Sequence, residues 1–332
     1  MRKEKIFVIV FFLLGLSLSG RTLSMEISRV EEKTFKLSPN GSVSLTADEG
    51  SIMVKTWEKD EVYLKMTKRA WGRNRHEAER LLNEIQVQIY KDDDHLVIKE
   101  LDHGRGEHFN FFDLFDGNFW REKGWRRGVV DYELTVPRKV RLRLKADEGD
   151  VEILEAAGEL TIDVDEGDVK LERVSSEKIQ VNVDEGDVKI YGNDNKSQTF
   201  CSVNTDEGRI LVEDGMFEEL SLRADEGDIV LRNIKASHFL LSSDEGDIWV
   251  DFQPIENGVY RMRTDEGDIE IFLPPDVSLR VRMRTEEGNI ESDFNLPVIK
   301  RNDGEVMEGV IGHDGGVLKA YTNEGDIFLG KQ

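Results

Sequence analysis

The sequence predicts an all-β protein, a single-stranded parallel β-solenoid (β-helix) of roughly 20-residue coils with a small α/β insertion near its N-terminus. Three observations carry this. A Glu-Gly pair preceded by Asp, Glu or Asn recurs ten times, with glycines at Gly50, Gly149, Gly167, Gly186, Gly208, Gly227, Gly246, Gly267, Gly288 and Gly325. From Gly149 to Gly288 the spacings are 18, 19, 22, 19, 19, 21 and 21 residues, the length of one solenoid coil and too short for a helix pair. Around each glycine the apolar residues alternate with period two, which is the signature of strands with one inward face.

The chain divides into residues 1–20, 21–141 and 142–332. The first segment reads as a signal peptide: basic Arg2, Lys3 and Lys5, the apolar run Ile6 to Leu16, then the small-residue pattern Ser17 and Ser19. The run is short for a membrane span, no cysteine follows it for a lipid anchor, and no later stretch is apolar enough to cross a bilayer. The expectation is export to the periplasm or cell surface.

Residues 21–141 hold the first turn at Gly50 and then an insertion. Asn74 is placed to cap a helix, with Glu77 as its partner and Ala78, Leu81, Leu82 and Ile85 as the apolar stripe. Ile85, Val87 and Ile89 then alternate as one strand, and Leu96 to Ile98 belong to another. The loop from Asp102 to Gly128 mixes Phe111, Phe115, Trp120 and Trp125 with basic residues such as Arg126. That composition suits either a partner-docking surface or a cover over the open solenoid end.

Residues 142–332 are the repeat solenoid. Two residues after each glycine stands a β-branched residue without exception, from Ile52 to Ile327. Four after it the apolar row breaks only at Ser292, and five before it the row runs from Leu45 to Ala320. Seven before it, Cys201 takes the slot held elsewhere by Leu160, Ile179 or Leu220, so this lone cysteine is expected to be a buried, inert thiol. The glycine supplies positive φ at a tight turn, and the Asp two residues earlier can accept the turn's own N–H. The 37-residue gap from Gly288 to Gly325 is expected to hide a degenerate coil around Asp303 and Gly304.

Turn chemistry does not explain the glutamate. Stacked coils lie about 4.8 Å apart, so carboxylates such as Asp165, Glu166 and Asp168, then Asp184, Glu185 and Asp187, would form a self-repelling row. Such a row either splays into solvent or recruits cations, calcium being the chemically apt one, although neither an EF-hand nor the calcium nonapeptide is present. Outward Arg143, Lys145, Arg223, Arg261, Arg263, Arg282 and Arg284 offer lateral pairing with these acids, or a basic stripe for an anionic headgroup.

Catalysis finds little support. The six histidines show no metal-ligand spacing, and no nucleophile elbow or phosphate loop is present. Carboxylates that repeat in every coil do not make a singular active site. A β-helix polysaccharide-active enzyme is the remaining enzymatic alternative, and such enzymes usually have wider coils. The formal charge of −23 argues against nucleic acid and against most anionic surfaces.

The segments Thr264-Asp-Glu-Gly-Asp-Ile269 and Thr322-Asn-Glu-Gly-Asp-Ile327, with the closing Gly309-Val-Ile-Gly-His-Asp-Gly-Gly316, resemble a bacterial adhesin-like β-solenoid domain family of unknown function. The resemblance runs from about Val43 to Leu329 and includes the helix ahead of Ile85 to Ile89. It implies a non-enzymatic adhesin-like or scaffold protein of the cell envelope, with an envelope protein, glycan or membrane surface as partner, and no catalytic residues. Relatives often carry small polar residues where this chain has Asp-Glu.

Overall fold

The inward positions set by the two-residue period are buried, and they form one core. All ten residues two after the glycine are buried, from Ile52 through Val188 and Ile229 to Ile327. Those five and seven before it join them, Cys201 included. A computed structural model describes residues 25–101, 128–193, 199–302, 304–313 and 315–332. The protein is all-β and β-solenoid-like, with one helix among the described residues.

Strands leading into each turn pair in parallel with their counterparts one coil away, in glycine register: Leu160 faces Ile179 and Glu166 faces Glu185. Strands leaving the turn do the same, Val169 facing Val188 and Leu171 facing Ile190. Like thus stacks on like, and the inner rows become continuous apolar columns. A single coil could not bury them alone.

Chain order and spatial order part company at both ends. The leading strand of the last repeat, Val317–Glu324, lies between those of Gly267 and Gly288, pairing with Val259 to Glu266 on one side and with Leu279–Glu287 on the other. At the other end, His95–Leu101 and Gly128–Pro137 lie outside the Gly50 coil, on Ser42–Glu49 and Ile52–Trp57 respectively. The first and last repeats of the sequence are therefore each second from the end in space, with a neighbour on both faces.

Antiparallel strands then close the stack. Glu61–Gly72 covers Gly128–Pro137, and Met25–Lys36 covers Glu61–Gly72. Where the sequence predicts a degenerate coil around Gly304, the chain instead forms a hairpin. Gly304–Ile311 runs antiparallel on Leu279–Glu287, with Val298–Arg301 outside it. The reason is visible in the sequence: two residues after Gly304 stands Val306, but four after it stands exposed Glu308, so the inward row cannot continue. The outermost strand carries Lys300 and Arg301, charges that discourage edge pairing. Lys300 meets Glu305 at 2.8 Å, and Glu305 accepts the Ile290 N–H at 2.9 Å, standing in for the missing next coil.

The helix Arg75–Glu84 starts as predicted, the Asn74 side chain accepting the Glu77 N–H at 3.0 Å. Glu77 reaches back one residue further than a standard capping box, to the Arg73 N–H at 2.8 Å. Ala78 and Leu82 are buried toward Glu61–Gly72 and Met25–Lys36, while Leu81 packs at the margin. A second corner, six residues after the glycine, places Glu155, Arg173, Gly192, Asp214 and Asn233 at φ between 50° and 63°. Glu and Arg are unusual there, at a cost of about 1–2 kcal/mol each.

Candidate functional site

The turn edge is built from three columns. The glycine is fixed twice over: Gly227 has φ +147°, and a Cβ there would lie 2.2 Å from the Gly208 carbonyl oxygen. From Gly149 onward every turn glycine meets a neighbouring glycine oxygen in this way. The N–H groups of the turn glycines from Gly50 to Gly267, and of Gly325, donate to the glutamate carbonyl of the adjacent coil, as Gly167 does to Glu185 at 2.9 Å.

Beside it runs a ladder the sequence assigns differently. The N–H acceptor is the Asp after the glycine, not the one before, and it bonds to the next coil. Asp150 Oδ1 accepts the Asp168 N–H at 3.0 Å, Asp168 the Asp187 N–H at 2.9 Å, and Asp187 the Arg209 N–H at 3.0 Å. After a break at Arg209 the ladder resumes, Asp228 to Asp247, Asp247 to Asp268, Asp268 to Asp326 and Asp326 to Asn289, at 2.7–3.1 Å. Bonds to an ionised acceptor are stronger than neutral ones. The third column, three residues before the glycine, explains the threonine of the repeated turn. Thr264, Thr285 and Thr322 are buried and donate to a glycine carbonyl of the adjoining coil at 2.8–3.0 Å.

The Asp before the glycine pairs sideways. Arg223 meets Asp225 at 2.9 Å and Asp244 at 3.5 Å, Arg263 meets Asp265 at 2.8 Å, and Lys145 meets Asp165 at 3.7 Å. Arg282 and Arg284 pair likewise with Glu308 and Glu286. Of the six carboxylates singled out for a cation, Asp168 and Asp187 hold backbone N–H groups and share Lys189, at 3.4 and 3.0 Å. Glu166, Asp184 and Glu185 face solvent. Burial, then repulsion from Asp165 and Asp206, raises the pKa of Asp184. For Asp187, burial pushes upward, but the Arg209 N–H and Lys189 outweigh it and the pKa falls. Among the described residues no three His, Cys, Asp or Glu side chains converge as a metal site requires.

A buried polar cluster lies at the N-terminal end. Tyr132, fully buried, donates to Glu100 Oε2 at 3.1 Å, and the Asp48 N–H approaches the same oxygen at 3.5 Å. Burial raises the Glu100 pKa to about 7, against the lowering pull of Tyr132 and Lys68 and with Glu49 and Asp147 adding to the rise. Lys68 is itself buried and paired with Glu31 at 3.0 Å. An unfolded glutamate ionises near pH 4.3, so between about 4.3 and 7 the folded state holds the extra proton. The group's contribution is present below that window and is lost as pH rises through about 7, to the extent of roughly 3 kcal/mol. Glu100→Gln should therefore raise the melting temperature at pH 8 and leave it little changed at pH 4.5. Equal shifts at both pH values in thermal melts would show that Glu100 is ionised throughout.

The outer face of the trailing strands changes character along the stack. Near Gly149 to Gly186 it carries ion pairs, Lys170 with Glu152 at 3.0 Å and Lys189 with Asp187 at 3.0 Å. From Gly208 to Gly246 one outward column turns apolar, Leu211, Val230 and Trp249 aligning in register before Glu270 takes the next place. Trp249 then lies 5.3 Å from the Phe272 ring centroid, and Phe272 lies 5.9 Å from Phe328. A shallow groove of about 220 Å³ opens here, lined by Trp249 and Val230 with Arg209, Arg232, Asp228, Asp247, Asp268 and Glu270. Arg232 sits over the Trp249 ring at 5.8 Å. Phe328 belongs to the last repeat, so its place beside Phe272 depends on the displaced C-terminal coil.

Sequence reasoning passed over this groove. Its signal was an outward Trp and Phe where neighbouring coils carry Glu or Lys. Phe111, Phe115, Trp120, Trp125 and Arg126 lie outside the described residues. Burial pushes the Cys201 thiol up to about 12, as its core slot implies.

The Toastrack DUF4097 family model matches residues 42–329. A solved Bacteroides fragilis protein, provisionally named an adhesin, is 11% identical over 90% of this chain and 96% of its own, with a TM-score of 0.40. A Parabacteroides distasonis protein, provisionally named lipid-binding, is 13% identical over 91% and 96%, with a TM-score of 0.41. No curated protein matches the chain.

Proposed function

We propose that this chain, which belongs to the Toastrack DUF4097 family, is an exported, non-enzymatic, adhesin-like binding protein of the bacterial cell envelope. In this reading the stack is a single-stranded parallel β-solenoid that serves as a rigid mount, and the N-terminal segment directs export. The outer groove is the observation that carries it. A solenoid needs no aromatic exterior, and the ion-paired coils of Gly149 to Gly186 stack without one. A half-buried outward Trp249 beside Val230, within a rim of arginines and carboxylates, is the composition expected of a recognition surface. The Asp after the glycine is engaged in holding coils together, which supports a structural role for that column over a catalytic one.

Immobilised full-length chain should retain envelope fragments of a bacterial host, and the chain produced in that host should leave the cytoplasm. Recovery in the cytosolic fraction, or beads that retain no more envelope than blank beads, would overturn the proposal.

A further inference from the structure

We infer that the outward row Arg261, Lys319 and Arg282 binds the phosphate monoester headgroup of an anionic lipid. The row lies on the leading strands, not the trailing strands that form the groove, and it does not depend on the groove.

Register builds the row. Arg261 faces Lys319 in the next coil, and Lys319 faces Arg282 in the one beyond. The displaced last repeat thus sets an ammonium midway between two guanidinium groups, at coil steps of about 4.8 Å. Like charges facing each other across strands are destabilising, and the scaffold does not call for them. The same column carries Thr161, Gln180, Ser202 and Ser221 in earlier coils. Outward cations of other coils lie beside acids, as Lys170 does with Glu152 and Lys145 with Asp165. In this row Arg282 has such a partner, Glu308 at 3.0 Å, while Arg261 and Lys319 pair with no carboxylate among the described residues.

The number of cations selects the ligand. Three in a line exceed what the two oxygens of one carboxylate can satisfy. A phosphate monoester presents three anionic oxygens, one for each cation, and guanidinium forks match phosphate geometry. Apolar side chains border the row. Leu240 precedes Arg261 in the same column, and Val310 lies on the hairpin strand beside Arg282; they are 51 and 47% exposed. A soluble phosphate ester has no use for them, whereas a lipid brings apolar surface to the edge of its headgroup.

The formal charge of −23 opposes approach to an anionic bilayer, but it acts weakly at this place. After Glu308, the next acids along these strands are Asp265 and Glu286, four residues away, or roughly 13 Å. Both are already held, by Arg263 at 2.8 Å and by Arg284 at 3.3 Å. Screening sets in over about 8 Å at physiological salt, so a headgroup meets the row as a local cluster of positive charge.

The test is cosedimentation of the full-length chain with vesicles of phosphatidylcholine alone, or with phosphatidic acid or phosphatidylglycerol added to equal surface charge. Phosphatidic acid vesicles should retain the chain at least tenfold more strongly than phosphatidylcholine, and at least threefold more than the diester phosphatidylglycerol. Changing Arg261→Gln and Lys319→Gln together should remove that preference and leave the melting temperature unchanged or higher, since facing like charges are gone. Should the double variant misfold, Lys319→Gln alone should still weaken retention at least threefold. The apolar run Ile6 to Leu16 is common to every chain compared, so any affinity it adds cancels. Equal retention on all three vesicles, or a preference untouched by the substitutions, overturns the inference. Glycerol 3-phosphate binding in calorimetry as tightly as the vesicle-borne headgroup also overturns it, by removing the lipid from the site.

Discussion

Replacing Ile229 with Asp is expected to abolish the folded state. Ile229 is fully buried in the column of β-branched residues two after the glycine, facing Ile210 and Ile248 in the coils on either side. Its N–H is already committed to the Asp247 carbonyl at 2.9 Å, and the neighbouring inward residues are aliphatic. An aspartate there would lose about 1.5–3 kcal/mol of apolar burial and either strand a charge or take up a proton at further cost. The sum is comparable with the whole stability of an ordinary domain, about 5–15 kcal/mol. The position makes it worse. Coils stabilise one another through nearest-neighbour interfaces, so a defect at Ile229 disrupts two interfaces in mid-stack and separates the coils on either side. Circular dichroism should show loss of the strand signal, or a melting temperature lower by more than about 10 °C. Glu185→Gln, on the exposed turn, should fall within about 0.5 kcal/mol of the parent. A parent-like melt for Ile229→Asp would mean that this column does not face the core.

How far the sequence reveals this molecule depends on which physical constraint is local. Period-two alternation is local, so the inward columns, the slot of Cys201 and the cap at Asn74 could all be read directly. The order of coils is not local. Every coil presents the same glycine register and the same apolar rows to its neighbours, so nothing in Leu318 or Ile327 says that their coil lies beside that of Gly267 and not beyond that of Gly288. Chain order was the natural assumption, and a displaced last repeat satisfies the same rows equally well. The second corner is hidden for a different reason: Gly192, Asp214 and Asn233 tolerate positive φ, but Glu155 and Arg173 do not advertise it. The acidic turn was legible as composition but not as bonding. Whether an Asp closes its own turn or caps the next coil depends on an inter-coil distance that only stacking sets. The aromatic contact of Phe272 suffers most, because Phe328 joins it only through the displaced coil.

The second large effect separates the two demands on the turn glycine. Gly246→Ala should destabilise strongly, while Gly192→Ala should cost little. Both positions have positive φ, +150° at Gly246 and +60° at Gly192. At Gly192 an added Cβ would have the Arg173 Cγ as its nearest neighbour, at 3.7 Å, an ordinary contact. Alanine there bears only the left-handed conformation, about 1–2 kcal/mol. At Gly246 the Cβ would lie 2.3 Å from the Gly227 carbonyl oxygen and 2.5 Å from its carbon. Those atoms are backbone, and they cannot retreat without breaking the bonds that hold the coils. Gly227 N–H donates to Glu245 at 2.8 Å, Gly246 N–H to Glu266 at 2.9 Å, and Asp228 accepts the Asp247 N–H at 3.1 Å. The φ of Gly246 also lies in a region that only glycine adopts readily, so strain of about 1–3 kcal/mol adds to the clash. Relief would have to come from opening the inter-coil spacing, which sacrifices ladder bonds worth about 1 kcal/mol each. Denaturant titration should give a stability loss at Gly246 at least twice that at Gly192. Equal losses would mean that backbone conformation alone demands glycine at the turn, and that the close stacking of coils adds nothing.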